Sequence, residues 1–142
     1  MSQKFRLDKA GYINRDKKIS FKFNGKKYFG YKGDTLASAL LANGVHLVGR
    51  SFKYHRPRGF VGAGVDEPNA QVQLYSDAKT EPNAVATSVE LVEGLIATSQ
   101  NCWPSVSFDF GAINNLLNKF FPAGFYYKTF MWPKNFWYKI YE

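Results

Sequence analysis

Cysteine and histidine, the side chains most often used for metal binding, are scarce in this sequence. Cys102 is the only cysteine among 142 residues, which excludes an internal disulfide and any iron–sulfur site built from four thiolates of this chain. The two histidines, His46 and His55, have no cysteine near them. Because a closed zinc site needs four ligands, the sequence predicts no metal site.

Cys102 also lacks a local partner for nucleophilic catalysis. A cysteine nucleophile needs a base beside it, and the flanking residues Asn101 and Trp103 provide none. The simpler interpretation is a small, packed hydrophobic side chain. The sequence therefore predicts no catalytic residue in this chain.

Long apolar runs are missing as well. No run approaches the roughly 18–20 residues that a membrane-spanning helix requires. The N-terminal residues MSQKFRLDKAGYINRDKK include basic side chains with no apolar stretch behind them, unlike a secretory signal peptide. We therefore expect a cytoplasmic protein without a membrane partner.

Positive charge is abundant and unevenly placed. Residues 1–58 hold 14 of the 19 Lys and Arg and 3 of the 11 Asp and Glu, a net charge of +11 within a chain whose total is +8. This excess of positive charge in residues 1–58 favours an anionic partner, which could be a nucleic acid, a phosphorylated cofactor or an acidic protein face. The alternative is an ordinary solvated surface, and it suits the scattered lysines at 17, 18, 22, 26 and 27.

The first half of the chain has clear secondary-structure signals. Residues 18–23, KISFKF, alternate between apolar and polar side chains, as a half-buried strand does. Asn24-Gly25 is a strong hairpin turn signal, and residues 26–31 form the predicted return strand. Asp34 or Thr35 can then cap a helix that ends at Gly44.

The order of predicted elements indicates an α+β fold. The remaining predictions are a short strand at 46–48, a long loop at 49–69, a strand at 70–75, a polar turn at 76–84, two strands within 85–99 broken near Glu93-Gly94, and a helix at 107–119 capped by Ser107 or Asp109. Strand, hairpin, helix, loop and strand in succession are the order of a β-grasp domain, as in [2Fe–2S] plant-type ferredoxins. We predict a basic leader (1–17), a β-grasp domain without cluster cysteines (18–100) and an aromatic-rich C-terminal extension (101–142).

The long loop is the richest candidate site. It packs cationic groups between aromatic side chains, and its glycines allow backbone N–H groups to approach an anion. We predict a cofactor-binding or interface role for Arg50, Lys53, His55, Arg56, Arg58, Gly62 and Gly64. The alternative is a structural loop held by arginine–carboxylate pairs to Asp66 and Glu67. A dinucleotide fingerprint is not supported, because Glu67 stands where its third glycine belongs.

The last 23 residues carry an unusual density of aromatic side chains. Eleven of residues 120–142 are Phe, Tyr or Trp, more than a short tail easily buries within itself. We expect this segment to pack against a partner or a following region of a longer protein. The predicted docking residues are Phe125, Tyr126, Tyr127, Phe130, Trp132 and Trp137.

Several long segments resemble one enzyme family. GDTLASALLANGV, SFKYHRPRG, GAGVDEPNAQVQL, SQNCWPS and AGFYYKTFMWP with FWYKIYE are similar to the N-terminal part of the alpha subunit of heterotetrameric sarcosine oxidase. The resemblance runs from about residue 30 to the end of the chain. It implies a β-grasp part of a much longer subunit, followed by a nucleotide-binding region that is absent here or lies on a separate chain.

The resemblance also implies cofactors and partners. The complex would use NAD, FAD and FMN, with tetrahydrofolate as co-substrate, to demethylate sarcosine or a related N-methyl amino acid oxidatively. The partners would be the remainder of the alpha subunit and beta, gamma and delta-type subunits. Some relatives carry a [2Fe–2S] cluster in the β-grasp part, but here its cysteine ligands are missing.

Two functional hypotheses follow. The first is a non-catalytic N-terminal portion of a sarcosine-oxidase-like oxidoreductase, which supports assembly and the cofactor environment and binds no cofactor by itself. The second is a free-standing basic module that binds nucleic acid, with Phe52 and Tyr54 stacking on bases. The second predicts an affinity that falls steeply with salt.

Overall fold

The computed structural model describes residues 3–9, 11–76 and 79–117. It contains seven strands, two α-helices and two short 3-10 helices in these residues. In chain order they are β1 (Asn14–Phe23), β2 (Lys26–Lys32), α1 (Leu36–Ala42), β3 (Gly49–Arg50), β4 (Pro57–Arg58), a 3-10 helix (Gly64–Asp66), β5 (Gln71–Ser76), β6 (Lys79–Val85), β7 (Ile96–Ser99), a 3-10 helix (Phe110–Ala112) and α2 (Ile113–Leu116).

Five of the strands form one mixed sheet in the order β2-β1-β7-β5-β6. β1 and β7 are parallel, while β1–β2, β5–β7 and β5–β6 are antiparallel. α1 lies across this sheet, so the predicted α+β, β-grasp architecture is confirmed. β3 and β4 form a separate two-stranded sheet within the long loop.

The first hairpin and helix follow their local signals. Asn24 and Gly25 both adopt positive φ angles, at 50° and 77°, as the turn chemistry requires. Thr35 caps α1 by accepting from the Ser38 N–H, and the Ser38 hydroxyl oxygen accepts from the Thr35 N–H in return. Gly44 follows the helix with φ 80°.

The core lies between α1 and the sheet. Leu36 and Leu40 of α1 are fully buried, and Phe21 and Phe23 from the predicted apolar face of β1 lie with them. A Cβ on Gly30 of β2 would come within 3.0 Å of the Ala39 side chain, so the missing side chain lets α1 sit close to the sheet. Hydrophobic burial of these side chains is the main source of stability.

The predicted boundaries fail mainly at the edges of the sheet. β1 begins at Asn14, four residues before the alternating pattern does, and residues 46–48 form no strand. The predicted polar turn at 76–84 was wrong, because β6 covers residues 79–85. Its polar residues and Pro82 suit an edge strand, where one side faces water.

The predictions for the later segments were partly wrong. Residues 85–99 hold one strand, β7, rather than two, since residues 86–95 form turns and a single bridge between Thr35 and Glu90. The predicted helix at 107–119 is only the short α2 in the described residues, preceded by a 3-10 turn that Asp109 caps by accepting from the Gly111 N–H. Within residues 3–117 as described, no helix is long and apolar enough to cross a membrane.

The leader is partly attached to the domain. The Arg6 guanidinium donates to both carboxylate oxygens of Asp34, at 3.1 and 2.7 Å. The Phe5 ring meets the His46 ring edge-on, with centroids 5.0 Å apart. Residues 3–9 therefore contact the end of α1 and the turn before it. The domain boundaries at 17 and 100 remain predictions.

Candidate functional site

The two-stranded sheet of β3 and β4 organises the basic loop. Gly49 pairs with Arg58, and Arg50 pairs with Pro57. Between the strands, the His55 N–H donates to the Ser51 carbonyl at 3.0 Å, and His55 adopts a positive φ of 51°. The loop thus contains a short β-hairpin in which residues 51–56 connect the two strands.

Arg50 is used inside the molecule. Its side chain is only 9% exposed and lies 3.6 Å from Asp109. Its Nε donates to the Val106 carbonyl at 2.9 Å, and its Nη1 donates to the His55 carbonyl at 2.7 Å. The guanidinium therefore joins the hairpin to the segment around residue 106 and is not presented to an external anion.

Asp109 is the second centre of this junction, which we call the Arg50–His55–Asp109 junction. Its Oδ1 accepts from the backbone N–H groups of Trp103 and Gly111 at 2.9 and 3.2 Å, and its Oδ2 lies 2.7 Å from His55 Nδ1. Burial opposes the ionisation of Asp109, but these hydrogen bonds outweigh it and lower its pKa. The carboxylate is therefore ionised at neutral pH and accepts a hydrogen bond from His55 Nδ1.

Gly111 leaves the space in which the His55 ring lies. A Cβ on Gly111 would overlap the ring at Nδ1, Cε1 and Cγ. The imidazole is therefore stacked on backbone and fixed by Asp109. This arrangement makes His55 a structural tie between the hairpin and the segment that precedes α2.

Cys102 lies near the same junction and is not activated. Burial raises the pKa of its thiol, and the nearby Asp109 carboxylate adds to the increase. Nucleophilic cysteines require the opposite change, because the thiolate is the reactive form. The thiol is thus protonated at neutral pH.

Arg56 and Lys53 form the outer surface of the hairpin. The Arg56 guanidinium lies 4.8 Å from the Tyr54 ring centroid, and the Lys53 ammonium lies 5.3 Å from it. Arg56 Nε also donates to Asn115 Oδ1 at 3.0 Å, although Arg56 itself is exposed. Phe52 beside them is 82% exposed. This surface, with its cations and an exposed ring, can contact an external partner.

Arg58 borders a polar depression of about 380 Å³, which Phe52 of the outer surface also lines. Arg58 Nη1 reaches the Pro68 carbonyl at 3.5 Å, a weak bond that leaves other N–H groups available. The depression is also lined by Gln71, Asn83 and Gln100. The Gln100 Oε1 atom is buried and accepts no hydrogen bond from the described residues. A small polar ligand or a polar side chain from a partner fits this chemistry.

Glu67 accepts from the backbone of the loop where the sequence predicts contact between its glycines and an external anion. The Gly62 N–H, which the sequence suggests for anion contact, donates to Glu67 Oε2 at 2.6 Å. Gly64 adopts φ 69°, and its carbonyl accepts from the Thr87 hydroxyl at 2.5 Å. The predicted residues thus separate into four places: the junction, the outer hairpin surface, the polar depression beside Arg58 and the turn that contains Gly62 and Gly64.

The carboxylate partners differ from those suggested by the sequence. The alternative of arginine pairs to Asp66 and Glu67 was wrong, because Asp66 is exposed and Glu67 binds backbone N–H groups. The carboxylate that holds the loop is Asp109, 54 residues after His55. The only local signal for Asp109 in the sequence was that of a helix cap.

The predicted docking residues between 120 and 142 lie outside the described residues.

Acidification is expected to destabilise the protein through Glu67 and Asp109. Burial opposes ionisation of each, but hydrogen bonds to their oxygens lower both pKa values below 4.5 and 3.8, respectively. The unfolded chain therefore binds these protons more tightly, so the stabilisation is complete above about pH 5 and declines as the pH falls through the folded pKa values. Urea unfolding from pH 6 to 3 measures this decline.

The variant Glu67→Gln should make that pH dependence shallower. Glu93→Gln is the comparison at an exposed site, where hydrogen bonds to Ser20 lower the pKa of Glu93. A stability that stays constant from pH 6 to 3 in the unmodified protein would contradict the expectation.

Comparison with known proteins identifies relatives of this chain. It is 59% identical over 138 residues to "Sarcosine oxidase subunit alpha" of Rhizobium meliloti (strain 1021), which covers 97% of this chain and 14% of that protein. It is 40% identical over 89 residues to the protein of the same name from Corynebacterium sp. (strain U-96), covering 61% of this chain and 9% of the relative. The chain thus spans about a seventh or less of these relatives.

A solved structure and a family model are also similar to the chain. The crystal structure of L-proline dehydrogenase from P. horikoshii aligns with 65% of this chain and 17% of its own, at 25% identity and a TM-score of 0.47. The model of the 2Fe-2S iron-sulfur cluster binding domain matches residues 16–102, more than half of the chain. Together with the β-grasp sheet, this match shows that the chain belongs to the 2Fe-2S iron-sulfur cluster binding domain family.

Proposed function

We propose that this chain is the N-terminal, non-catalytic portion of a sarcosine oxidase alpha subunit. The observation that carries the proposal is the 59% identity to the R. meliloti subunit over 97% of the chain. In this role the chain supports the assembly and the cofactor environment of a flavoenzyme. That enzyme oxidatively demethylates sarcosine or a related N-methyl amino acid.

The iron–sulfur cluster implied by the family does not fit the residues of this chain. Such clusters are held by four cysteine thiolates, and Cys102 is the only cysteine. In the part of the chain that the structure describes, no group of three or more His, Cys, Asp or Glu side chains is placed to hold a metal. The domain therefore keeps the fold of the family without the ligands for its cluster.

The chemistry of the complex would lie outside this chain. His55 and Arg50 are bound within the fold, and the Cys102 thiol has a raised pKa. In this proposal NAD, FAD and FMN, with tetrahydrofolate as co-substrate, bind to the remainder of the alpha subunit and to beta, gamma and delta-type subunits. The assembly would be located in the cytoplasm.

The outer hairpin surface is the proposed contact with the rest of the complex. Arg56 and the exposed Phe52 are of residue types that are enriched at protein interfaces, and Lys53 adds a second cation beside them. Arg58 and the polar depression beside it extend this surface. None of the relatives named above is described as a nucleic-acid-binding protein, so the same cations are assigned to protein or cofactor contact.

A segment exchange tests the proposal. The matching segment of the R. meliloti alpha subunit is replaced by this chain, and the complex is purified and assayed for sarcosine oxidation. We expect assembly and at least half of the activity to be retained, whereas deletion of the segment should abolish assembly. Size-exclusion chromatography with bound-flavin absorbance measures both outcomes.

The exchange also tests the outer hairpin surface. Arg56→Ala with Arg58→Ala in the exchanged complex should reduce assembly or flavin content several-fold, because two cationic side chains outside the core are lost. The matched control is Lys17→Ala with Lys22→Ala on β1, which also removes two positive charges. Full assembly after deletion of the segment would contradict the proposed function, and equal assembly of the two double variants would contradict the role of the hairpin.

A further inference from the structure

Glu67 is a buried carboxylate surrounded by backbone donors. The residue is only 3% exposed. Its Oε2 accepts from the N–H groups of Val61 and Gly62 at 2.7 and 2.6 Å, and its Oε1 accepts from those of Asn69 and Ala70 at 2.7 and 3.1 Å. No other side chain in the described residues accepts four backbone N–H groups.

This arrangement stabilises a charge that would otherwise be costly to bury. None of the ion pairs found among the described residues involves Glu67, so the four N–H dipoles provide its main compensation. Burial opposes its ionisation, but the bonds from these four residues lower the pKa of Glu67. The side chain is therefore an anion at neutral pH.

Converging backbone N–H groups in a glycine-rich turn are a general anion-binding device. They hold phosphates in some proteins and surround iron–sulfur clusters in others, where hydrogen bonds to the sulfurs adjust the cluster. This chain belongs to an iron–sulfur family, has no set of thiolates, and has such a cradle in the loop between α1 and β5. The group that accepts from these N–H donors is the Glu67 carboxylate of the same chain.

We propose that the Glu67 carboxylate is a built-in anion that occupies this N–H cradle and orders residues 61–70 without any bound cluster or external anion. The ordered loop in turn reaches the core. The Ala70 carbonyl accepts from the Ala86 N–H at 2.9 Å, and the Ala86 carbonyl accepts from the Ala37 N–H of α1 at 3.0 Å. Glu67 thus links the glycine turn to the helix that packs on the sheet.

The proposal is tested by removing the anion and supplying another. Amide hydrogen exchange is measured by NMR for the four donor residues in the 142-residue chain and in Glu67→Ala. We expect exchange at the four amides to accelerate at least tenfold in Glu67→Ala. Sodium formate, a free carboxylate small enough for the vacated space, should restore protection in this variant and leave the unmodified protein unchanged. Asp66→Ala, an exposed acidic neighbour, should leave all four amides protected.

A second variant keeps the shape of the side chain. Glu67→Gln has one acceptor oxygen and one NH2 group, so only one of the two amide pairs, Val61–Gly62 or Asn69–Ala70, can keep its partner. We expect protection to fall in one pair and to persist in the other. Equal protection of all four amides in Glu67→Gln would overturn the proposal. Unchanged protection in Glu67→Ala without formate would overturn it as well, since the loop would then be ordered by other contacts.

Discussion

Replacing Asp109 with alanine is expected to lower the free energy of unfolding by about 3 kcal/mol, because the substitution leaves buried charged and polar groups without their partner. The Arg50 side chain is only 9% exposed and lies 3.6 Å from Asp109. The N–H groups of Trp103 and Gly111 would also lose their acceptor. The segment around residue 106 should then separate from the basic hairpin.

Urea unfolding of Asp109→Ala and Asp109→Asn measures the loss of stability and separates the contribution of the hydrogen bonds from that of the charge. Asparagine retains an oxygen that can accept from the two backbone N–H groups but removes the charge facing Arg50 and His55. We expect Asp109→Asn to lose less stability than Asp109→Ala. Asp66→Ala is the exposed control and should change stability by less than about 0.5 kcal/mol. A loss of similar size in Asp66→Ala and Asp109→Ala would show that Asp109 does not hold the junction.

Replacing Asp34 with alanine is expected to cost a similar amount, about 3 kcal/mol or more, since Asp34 is 2% exposed and binds on three sides. Its carboxylate accepts from two nitrogens of Arg6, from the Tyr31 N–H at 2.8 Å and from the Ser38 hydroxyl at 2.7 Å. Its removal would loosen both the leader and the first turn of α1.

A double-mutant cycle with Arg6→Ala separates these contributions. Arg6→Ala alone should cost less than Asp34→Ala, because Asp34 keeps its Tyr31 and Ser38 donors. Arg6→Ala should then add little in the Asp34→Ala background, where its partner is already absent. Thermal unfolding of the four proteins gives the coupling. Strictly additive losses would mean that the Arg6–Asp34 pair contributes nothing to stability.

The fold was largely predictable because its main signals are local. The Asn24-Gly25 turn, the alternating residues before it and the Thr35 cap each depend on neighbours within a few positions. The polar edge strand β6 was missed because its first five residues are exposed on both faces, so it has no apolar alternation to reveal it. The helix predicted from residue 107 begins later, at Ile113, because Asp109 caps a 3-10 turn that comes before it.

The candidate site was only partly predictable. The density of arginines between residues 50 and 58 indicated a special loop, but composition does not tell a buried arginine from an exposed one. Arg50 and Arg56 are six residues apart, yet one is bound to carbonyls inside the fold and the other lies on the surface. Their difference arises from their places in the hairpin, since Arg50 belongs to β3 and Arg56 lies in the connection before β4.

The sequence by itself determined the β-grasp order of elements, the positive charge of the first half and the lack of cluster ligands, because each follows from residue type and short-range spacing. Only the tertiary structure decided which carboxylates serve the basic loop. His55 meets Asp109, which lies 54 residues later in the chain, and Glu67 turns inward to four backbone N–H groups instead of toward an arginine. Packing of distant segments brings Asp109 to His55, whereas the donors to Glu67 lie within six residues of it and converge through the path of the loop itself. In both cases a buried carboxylate takes the donors that the tertiary structure places around it.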